Sequence, residues 1–310
     1  MKKYSLAVHG GAGTLLKSET SEEKDKEYHF VLSQALSAGH EILRSGGPAV
    51  AAVEASVCEL ENSPLFNAGK GSVFTSDQEH ELEAAMMCGN SLNAGSVAGL
   101  KRVKNPISLC KAILYDDDFV YLFGDGAEEY ARTKDIEIVE NKYFSTEFRR
   151  AQLYDAQLAG DSTVLDHDGN RKFGTVGAVA LDHSGNLAAA TSTGGLTNKR
   201  FGRVGDSSVI GAGCYANNDR CAISATGYGE FFLRNVTAHE IASIIKHGGR
   251  NLKSAADEVV MKQLKMLGGE GGIIGLDRQG NVVLCFNSEG MYRGWVTSDD
   301  HQKRTAIYKD

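Results

Sequence analysis

The chain has no apolar run approaching the roughly 18 residues that cross a bilayer, and this excludes a spanning helix by the usual hydropathy argument. Its six cysteines, Cys58, Cys88, Cys110, Cys214, Cys221 and Cys285, include no C-x-x-C pair. Zinc-ribbon and dithiol redox chemistry therefore have no sequence support, and buried reduced thiols are the expectation. Positive charge is not in excess: 33 Lys+Arg stand against 40 Asp+Glu, a net charge of −7 spread along the chain. That balance argues against a nucleic-acid or anionic-membrane partner and favours a small-molecule enzyme. Met1-Lys2-Lys3 is followed only by Tyr4 to Val8 before His9 and glycines, too short for a signal-peptide core, so the expected location is cytoplasmic.

Several catalytic signatures are also missing. Gly69-Lys70-Gly71-Ser72 lacks the Lys-Ser adjacency of a P-loop, no G-x-S-x-G occurs, and His239-Glu240 has no second histidine. Asp166-His167-Asp168-Gly169 lacks the terminal bidentate acid of a calcium loop. Gly211 to Ala216 fits G-x-G-x-x-A, with Glu230 further on, but Tyr-Ala-Asn-Asn-Asp-Arg is a turn and not the start of a phosphate-binding helix.

Proline is scarce, at three residues, whereas glycine is abundant: 36 of 310, well above the usual share of about 7%. Many positions are expected to need positive φ or close backbone approach. A strand at 4–9 is expected to end at His9-Gly10-Gly11-Ala12-Gly13. A helix from Ser21 to Gly46 and another after Pro48 follow from apolar spacing, the second with Val50, Val53, Val57 and Leu60 on one face. Short strands are predicted at 71–75, 81–87, 96–100 and 119–123, and helices at 106–114 and 145–157. Residues 158–173 read as a polar exposed linker. Residues 175–182 and 187–193 form a hairpin around His183-Ser184-Gly185-Asn186, and the L-D-x-x-G-N turn pattern recurs at 276–281 and 165–170. Helical stretches at about 229–246 and 251–267 lie between the later hairpins. The blocks suggest a layered α+β domain with antiparallel sheets covered by helices.

Hydroxyls, glycines and one charge of each sign recur after the expected strands. They are Gly174-Thr175, Thr191-Ser192-Thr193-Gly194-Gly195, Gly202-Arg203-Val204-Gly205-Asp206 and Thr226-Gly227-Tyr228-Gly229-Glu230. Taken alone, Thr175 is an ordinary strand start, and Arg203 with Asp206 an exposed salt bridge. Taken together, they suit hydrolysis by a threonine at a chain terminus, whose own α-amine, pKa about 8, accepts the hydroxyl proton. That amine exists only if the bond before Thr175 is cut, and Gly174, with no Cβ, can hold the strained backbone that such a cut requires.

The runs H-G-G-A-G at 9–13, L-E-N-S-P-L-F-N-A-G at 60–69, G-T-V-G-A-V-A-L-D at 174–182, T-S-T-G-G at 191–195, G-R-V-G-D-S at 202–207 and T-G-Y-G-E at 226–230 resemble the plant-type L-asparaginase/isoaspartyl aminopeptidase family of N-terminal-nucleophile hydrolases. The resemblance runs from residue 4 to about 308. It implies a four-layer αββα sandwich, one domain over 1–310, cut by autoproteolysis into an α chain (1–174) and a β chain (175–310) that associate as (αβ)₂. It further implies Thr175 as nucleophile tuned by Thr193, Thr226 and Gly227 as oxyanion donors, and Asn67 with Gly11 near the Thr175 amine or hydroxyl. Arg203 would hold the substrate α-carboxylate and Asp206 the α-ammonium, beside Gly229. Backbone carbonyls of Leu60, Glu61, Ser63, Phe66, Ala68 and Lys70 would hold a structural sodium ion, and no organic cofactor is implied. The implied substrates are isoaspartyl dipeptides and L-asparagine. Glycosylasparaginase is the alternative within the class, although enzymes of that kind are secretory or lysosomal. A binding relative that never cuts itself is the alternative outside it. Glu83 and Cys88 stand where Asp is common in the family, and they and Tyr228 have no assigned role.

Overall fold

The computed structural model describes residues 3–13, 17–160 and 174–309. Twelve described strands form two sheets. Those of the larger sheet are β1 (Ser5–Gly13), β2 (Leu82–Cys88), β3 (Ala94–Leu100), β4 (Tyr121–Phe123), β5 (Val176–Leu181), β6 (Leu187–Thr193), β11 (Gly290–Thr297) and β12 (Arg304–Tyr308), in the order β12-β11-β1-β5-β6-β2-β3-β4. The smaller sheet holds β7 (Cys214–Ala216), β8 (Ala222–Gly227), β9 (Gly271–Leu276) and β10 (Val282–Phe286), in the order β10-β9-β8-β7. Neighbours pair antiparallel except β3 with β4, which run parallel.

The central strands are apolar on both faces because both faces are covered. Leu6, Val8, Val176, Ala178, Met86 and Ala190 point into a core shared with α1 (Glu22–Arg44), α2 (Ala49–Glu61) and α3 (Pro106–Leu114). The alternate residues Ala7, Val179, Leu181, Ala85 and Ala189 point into a second core, with Ile223, Ala225, Ile273 and Leu276 of the smaller sheet. That sheet packs in turn on α7 (Thr237–Gly248) and α8 (Leu252–Ala256). Each of the two sheets is thus covered by its own helices. Strands rich in alanine and glycine bring the two sheets close.

The strand expected to stop at His9 instead continues to Gly13, through a bulge between His9 and Gly11. Its glycines serve close approach: a Cβ on Gly10 would lie 2.3 Å from the Phe66 ring. The strand predicted at 71–75 is absent; a 3₁₀ turn, Gly69–Gly71, and a single bridge from Thr75 to Lys199 take its place. The helix predicted at 229–246 is two, α6 (Gly229–Asn235) and α7, separated by Val236 in the left-handed region at φ 45°. The one predicted at 251–267 is α8 running into a π-helical stretch, Asp257–Leu264. Two helices remain, α4 (Gly124–Thr133), which went unpredicted, and α5 (Glu147–Leu158), within two residues of its prediction.

Two copies of the L-D-x-x-G-N pattern make the same turn. Asp182 Oδ1 accepts from the amides of Ser184 and Asn186, and Asp277 Oδ1 from those of Gln279 and Asn281. The third copy, at 165–170, and most of the linker at 158–173 lie outside the described residues. None of the six cysteines is in a disulfide. Among the described residues no helix is long and apolar enough to cross a membrane.

Candidate active site

Thr175 immediately precedes β5 in the middle of the larger sheet and is 7% exposed. β5 pairs with β6 in a register that sets Val176 opposite Ser192, so Thr175 stands level with Thr193. Its Oγ1 donates to Thr193 Oγ1 at 3.3 Å, and Thr193 Oγ1 also accepts the Gly195 amide at 3.1 Å. Gly174 leaves no room for a side chain, since a Cβ there would lie 2.5 Å from Asn67 Cβ. Asn67 thus flanks the Gly174-Thr175 bond, but its polar atoms are engaged elsewhere. Nδ2 donates to the Gly195 carbonyl at 2.7 Å, and Oδ1 accepts the Val73 amide at 2.9 Å. In the uncut chain these bonds hold the Asn67 side chain between the 193–195 turn and Val73.

Gly11, at φ 116°, follows the bulged Gly10 of β1. One residue on, the Ala12 amide donates to Thr226 Oγ1 at 3.2 Å, joining this glycine run to the end of β8. Gly227 is closed in on both sides, with a Cβ position 2.5 Å from both the Glu270 carbonyl and the Phe232 ring. Beneath these strands His9 Nε2 shares a hydrogen bond with Ser224 Oγ at 2.8 Å, and Ser224 in turn contacts Thr191 Oγ1 at 2.7 Å. Burial drives the His9 pKa down to about 3, so the ring is a neutral part of the packing.

Arg203 and Asp206 are not an exposed pair. Arg203 forms a two-pronged ion pair with Glu230, Nε to Oε1 at 2.9 Å and Nη2 to Oε2 at 2.8 Å. Burial works against the guanidinium's charge, but Glu230, with Glu83 and Asp206 nearby, outweighs it and holds the pKa above the ordinary value. Asp206 is buried, and its Oδ2 has no hydrogen-bond partner among the described residues. Burial lifts its pKa to about 7 against the opposing pull of Arg203. Gly229 lies between the two: a Cβ on it would be 2.8 Å from both Arg203 Nη2 and Asp206 Oδ1. Gly229, lacking a side chain, thus lets a guanidinium and a carboxyl with one orphaned oxygen approach it together, a pair of opposite sign whose chemistry suits an amino acid head group.

Two ion pairs carry no signal in the sequence: Arg203 with Glu230 of α6, and buried Glu83 of β2 with Lys199 behind the 195–205 loop. Both join residues distant in the chain, and only the tertiary fold brings them together. Cys88 ends β2 half-buried, and the Tyr228 ring packs at 5.3 Å from Phe231. The glycine run at 211–216 leads into strand β7, not into a helix that could receive a phosphate.

The 60–70 segment curls at the end of α2. Gly69, at φ 50°, and Gly71 are pressed against carbonyls, since their Cβ positions lie 2.3 Å from Glu61 O and 2.2 Å from Phe66 O. The Leu60 carbonyl accepts from Ser63 N and the Ala68 carbonyl from Gly71 N, both at 3.3 Å. The Glu61 carboxyl turns away to Ser192 Oγ at 2.6 Å, and burial raises its pKa to about 7. Lys70 Nζ lies 5.6 Å over the Tyr143 ring, so its charge is drawn off the loop.

A family profile described as asparaginase matches residues 2–306. The "isoaspartyl peptidase" of Escherichia coli K12 is 47% identical over 315 residues, covering 100% of this chain and 98% of the relative. A "probable isoaspartyl peptidase/L-asparaginase 2" of Arabidopsis thaliana is 38% identical (96% and 97% covered), and the "isoaspartyl peptidase/L-asparaginase" of Bos taurus is 36% identical (97% and 95% covered). The chain belongs to this asparaginase family and is a hydrolase.

Proposed function

We propose that the protein hydrolyses the side-chain amide of isoaspartyl dipeptides and of L-asparagine, with Thr175 as an N-terminal nucleophile. The observation that carries this reading is the hydrogen bond between the Thr175 and Thr193 hydroxyls, supported by the approach of Arg203 and Asp206 to one another at Gly229. The relatives' printed names supply the substrate class.

Maturation comes first. Thr175 Oγ attacks the Gly174 carbonyl, the peptide nitrogen leaves as the Thr175 α-amine, and water hydrolyses the resulting ester to a Gly174 carboxylate. In turnover the amine takes the hydroxyl proton as Oγ attacks the substrate's side-chain carbonyl. Thr226 and Gly227 face the developing oxyanion, a term worth about 10²–10³ in rate per donor. Ammonia or an amino acid leaves with that proton, and water releases aspartate from the acyl-threonine. Arg203 takes the α-carboxylate and Asp206 the α-ammonium throughout.

The same reading makes the two helix-covered sheets the αββα sandwich of this hydrolase class, with (αβ)₂ assembly. It places the protein in the cytoplasm, consistent with six unpaired thiols. It also gives the carbonyls of Leu60, Glu61, Ser63, Phe66, Ala68 and Lys70 to a structural sodium ion. Intact mass measurement with N-terminal sequencing tests the core of the proposal: two chains, the second beginning at Thr175, are expected after incubation. Thr175→Ala is expected to stay full length and inactive, and a Thr175→Ala protein that still matured would remove Thr175 as nucleophile. A wild-type chain that stays uncut would favour the binding relative.

A further inference from the structure

Glu83 lies on β2 directly opposite Thr193 of β6 and is completely buried. Its Oε2 accepts the Gly205 amide at 2.8 Å. Gly205 is the residue between Arg203-Val204 and Asp206, and its own Cβ position lies 2.8 Å from Arg203 Nη1. This hydrogen bond therefore ties the short segment carrying both head-group charges to the central sheet. The other carboxylate oxygen faces Lys199 Nζ at 3.6 Å, and Lys199, 2% exposed, donates to the Glu81 carbonyl at 2.9 Å. Gly195 packs against the pair, with a Cβ position 3.0 Å from Lys199 Nζ and 3.3 Å from Glu83 Oε1. A buried carboxylate left without its cation, or a buried ammonium without its carboxylate, is strongly disfavoured, so the two side chains hold each other in place.

We propose that Glu83, held by Lys199, is a positioning residue for the substrate head group: its carboxylate fixes the Gly205 amide and so sets the separation of Arg203 from Asp206 at Gly229. The proposal rests on the reading of Arg203 and Asp206 as head-group residues. It adds a cause for their spacing that neither residue supplies alone. Arg203 is drawn toward Glu230 on α6, and without the tether to β2 the segment would follow that pull. Glu83 touches no reacting atom, so its loss acts on binding and leaves the Thr175-Thr193 contact in place.

The test compares Glu83→Ala, Glu83→Gln and Arg203→Ala with the wild type, reading KM and kcat for an isoaspartyl dipeptide and the extent of self-cleavage. Glu83→Ala is expected to raise KM by roughly tenfold, with kcat within about threefold and cleavage complete, the pattern of lost uniform binding. Glu83→Gln, whose amide oxygen still accepts from Gly205, is expected to recover most of that KM. If Glu83→Ala is recovered only as insoluble protein, Glu83→Ala/Lys199→Met removes both buried charges together and carries the same comparison. An unchanged KM in the soluble alanine variant, or a fall in kcat with KM unmoved, overturns the positioning role, as does a glutamine variant no better than alanine. An Arg203→Ala enzyme with unchanged KM would instead overturn the head-group reading beneath it.

Discussion

Asp206 is the residue on which pH acts most directly. Its folded pKa, lifted to about 7 mainly by burial, lies above the value of an exposed aspartate. The folded state therefore holds a proton that the unfolded chain gives up, and this group's contribution to stability is greatest in acid and is lost as pH rises through about 7. Ligand binding has the opposite sense. An α-ammonium needs the ionised carboxylate, so below about pH 7 each binding event must expel a proton. The Ki of L-aspartate, the shared product, is expected to rise on acidification by up to about tenfold per pH unit below 7. In Asp206→Asn it should be weaker throughout and lose that slope. A wild-type Ki that is flat between pH 5 and 7 would show that Asp206 is already ionised in the empty pocket.

At the scale of elements, the helices show best why parts of the fold were legible and others were not. α1, α2 and α3 carry their apolar residues at helical spacing and lie where the pattern puts them, and the β5-β6 hairpin follows from its turn. Strands β7, β8, β11 and β12 carry no comparable signal: β7 and β8 are apolar or small on both faces, and β11 and β12 mix Arg293 and Arg304 among apolar residues, so the alternation that marks a half-buried strand is missing. Val236 divides two helices without glycine or proline to announce it. The candidate site was readable only through the company of Thr175, Thr193, Arg203, Asp206 and Thr226, whereas the Arg203-Glu230 and Glu83-Lys199 pairs join distant parts of the chain and depend on the tertiary fold. Packing between α1 and α2 gives the sharpest element-level expectation. Gly39 faces Ser56 Oγ, the Ala52 carbonyl and Leu6 Cδ2, at 2.3, 2.8 and 2.9 Å from its Cβ position. Backbone and a buried β1 side chain cannot all give way, so Gly39→Ala is expected to cost about 1–3 kcal/mol through overpacking. The melting temperature should fall by several degrees with KM unaltered, and an unchanged melt would mean that the two helices separate freely.

The whole molecule has a property that follows from strand order and not from any single residue. Across the larger sheet, β12 and β11 come from the segment after Thr175, β1 from the segment before it, β5 and β6 again from after, and β2, β3 and β4 from before. The two products of a cut at Gly174-Thr175 thus alternate as paired strands. β1 is hydrogen-bonded on both sides to the other segment, through β11 and β5, and β6 is bonded to β2. Helices α1 and α2 of the first segment cover β11 and β5 of the second, within a core shared by both. Separating the pieces would open three ladders and expose that core, which amounts to global unfolding. Fully cleaved protein is therefore expected to elute as one species in native size exclusion, with both chains in constant ratio. The chains should part only over the denaturant range in which the far-ultraviolet circular dichroism collapses. Mass spectrometry of the fractions provides the check: release of either chain while the secondary structure is still intact would mean that the segments do not share one interleaved sheet.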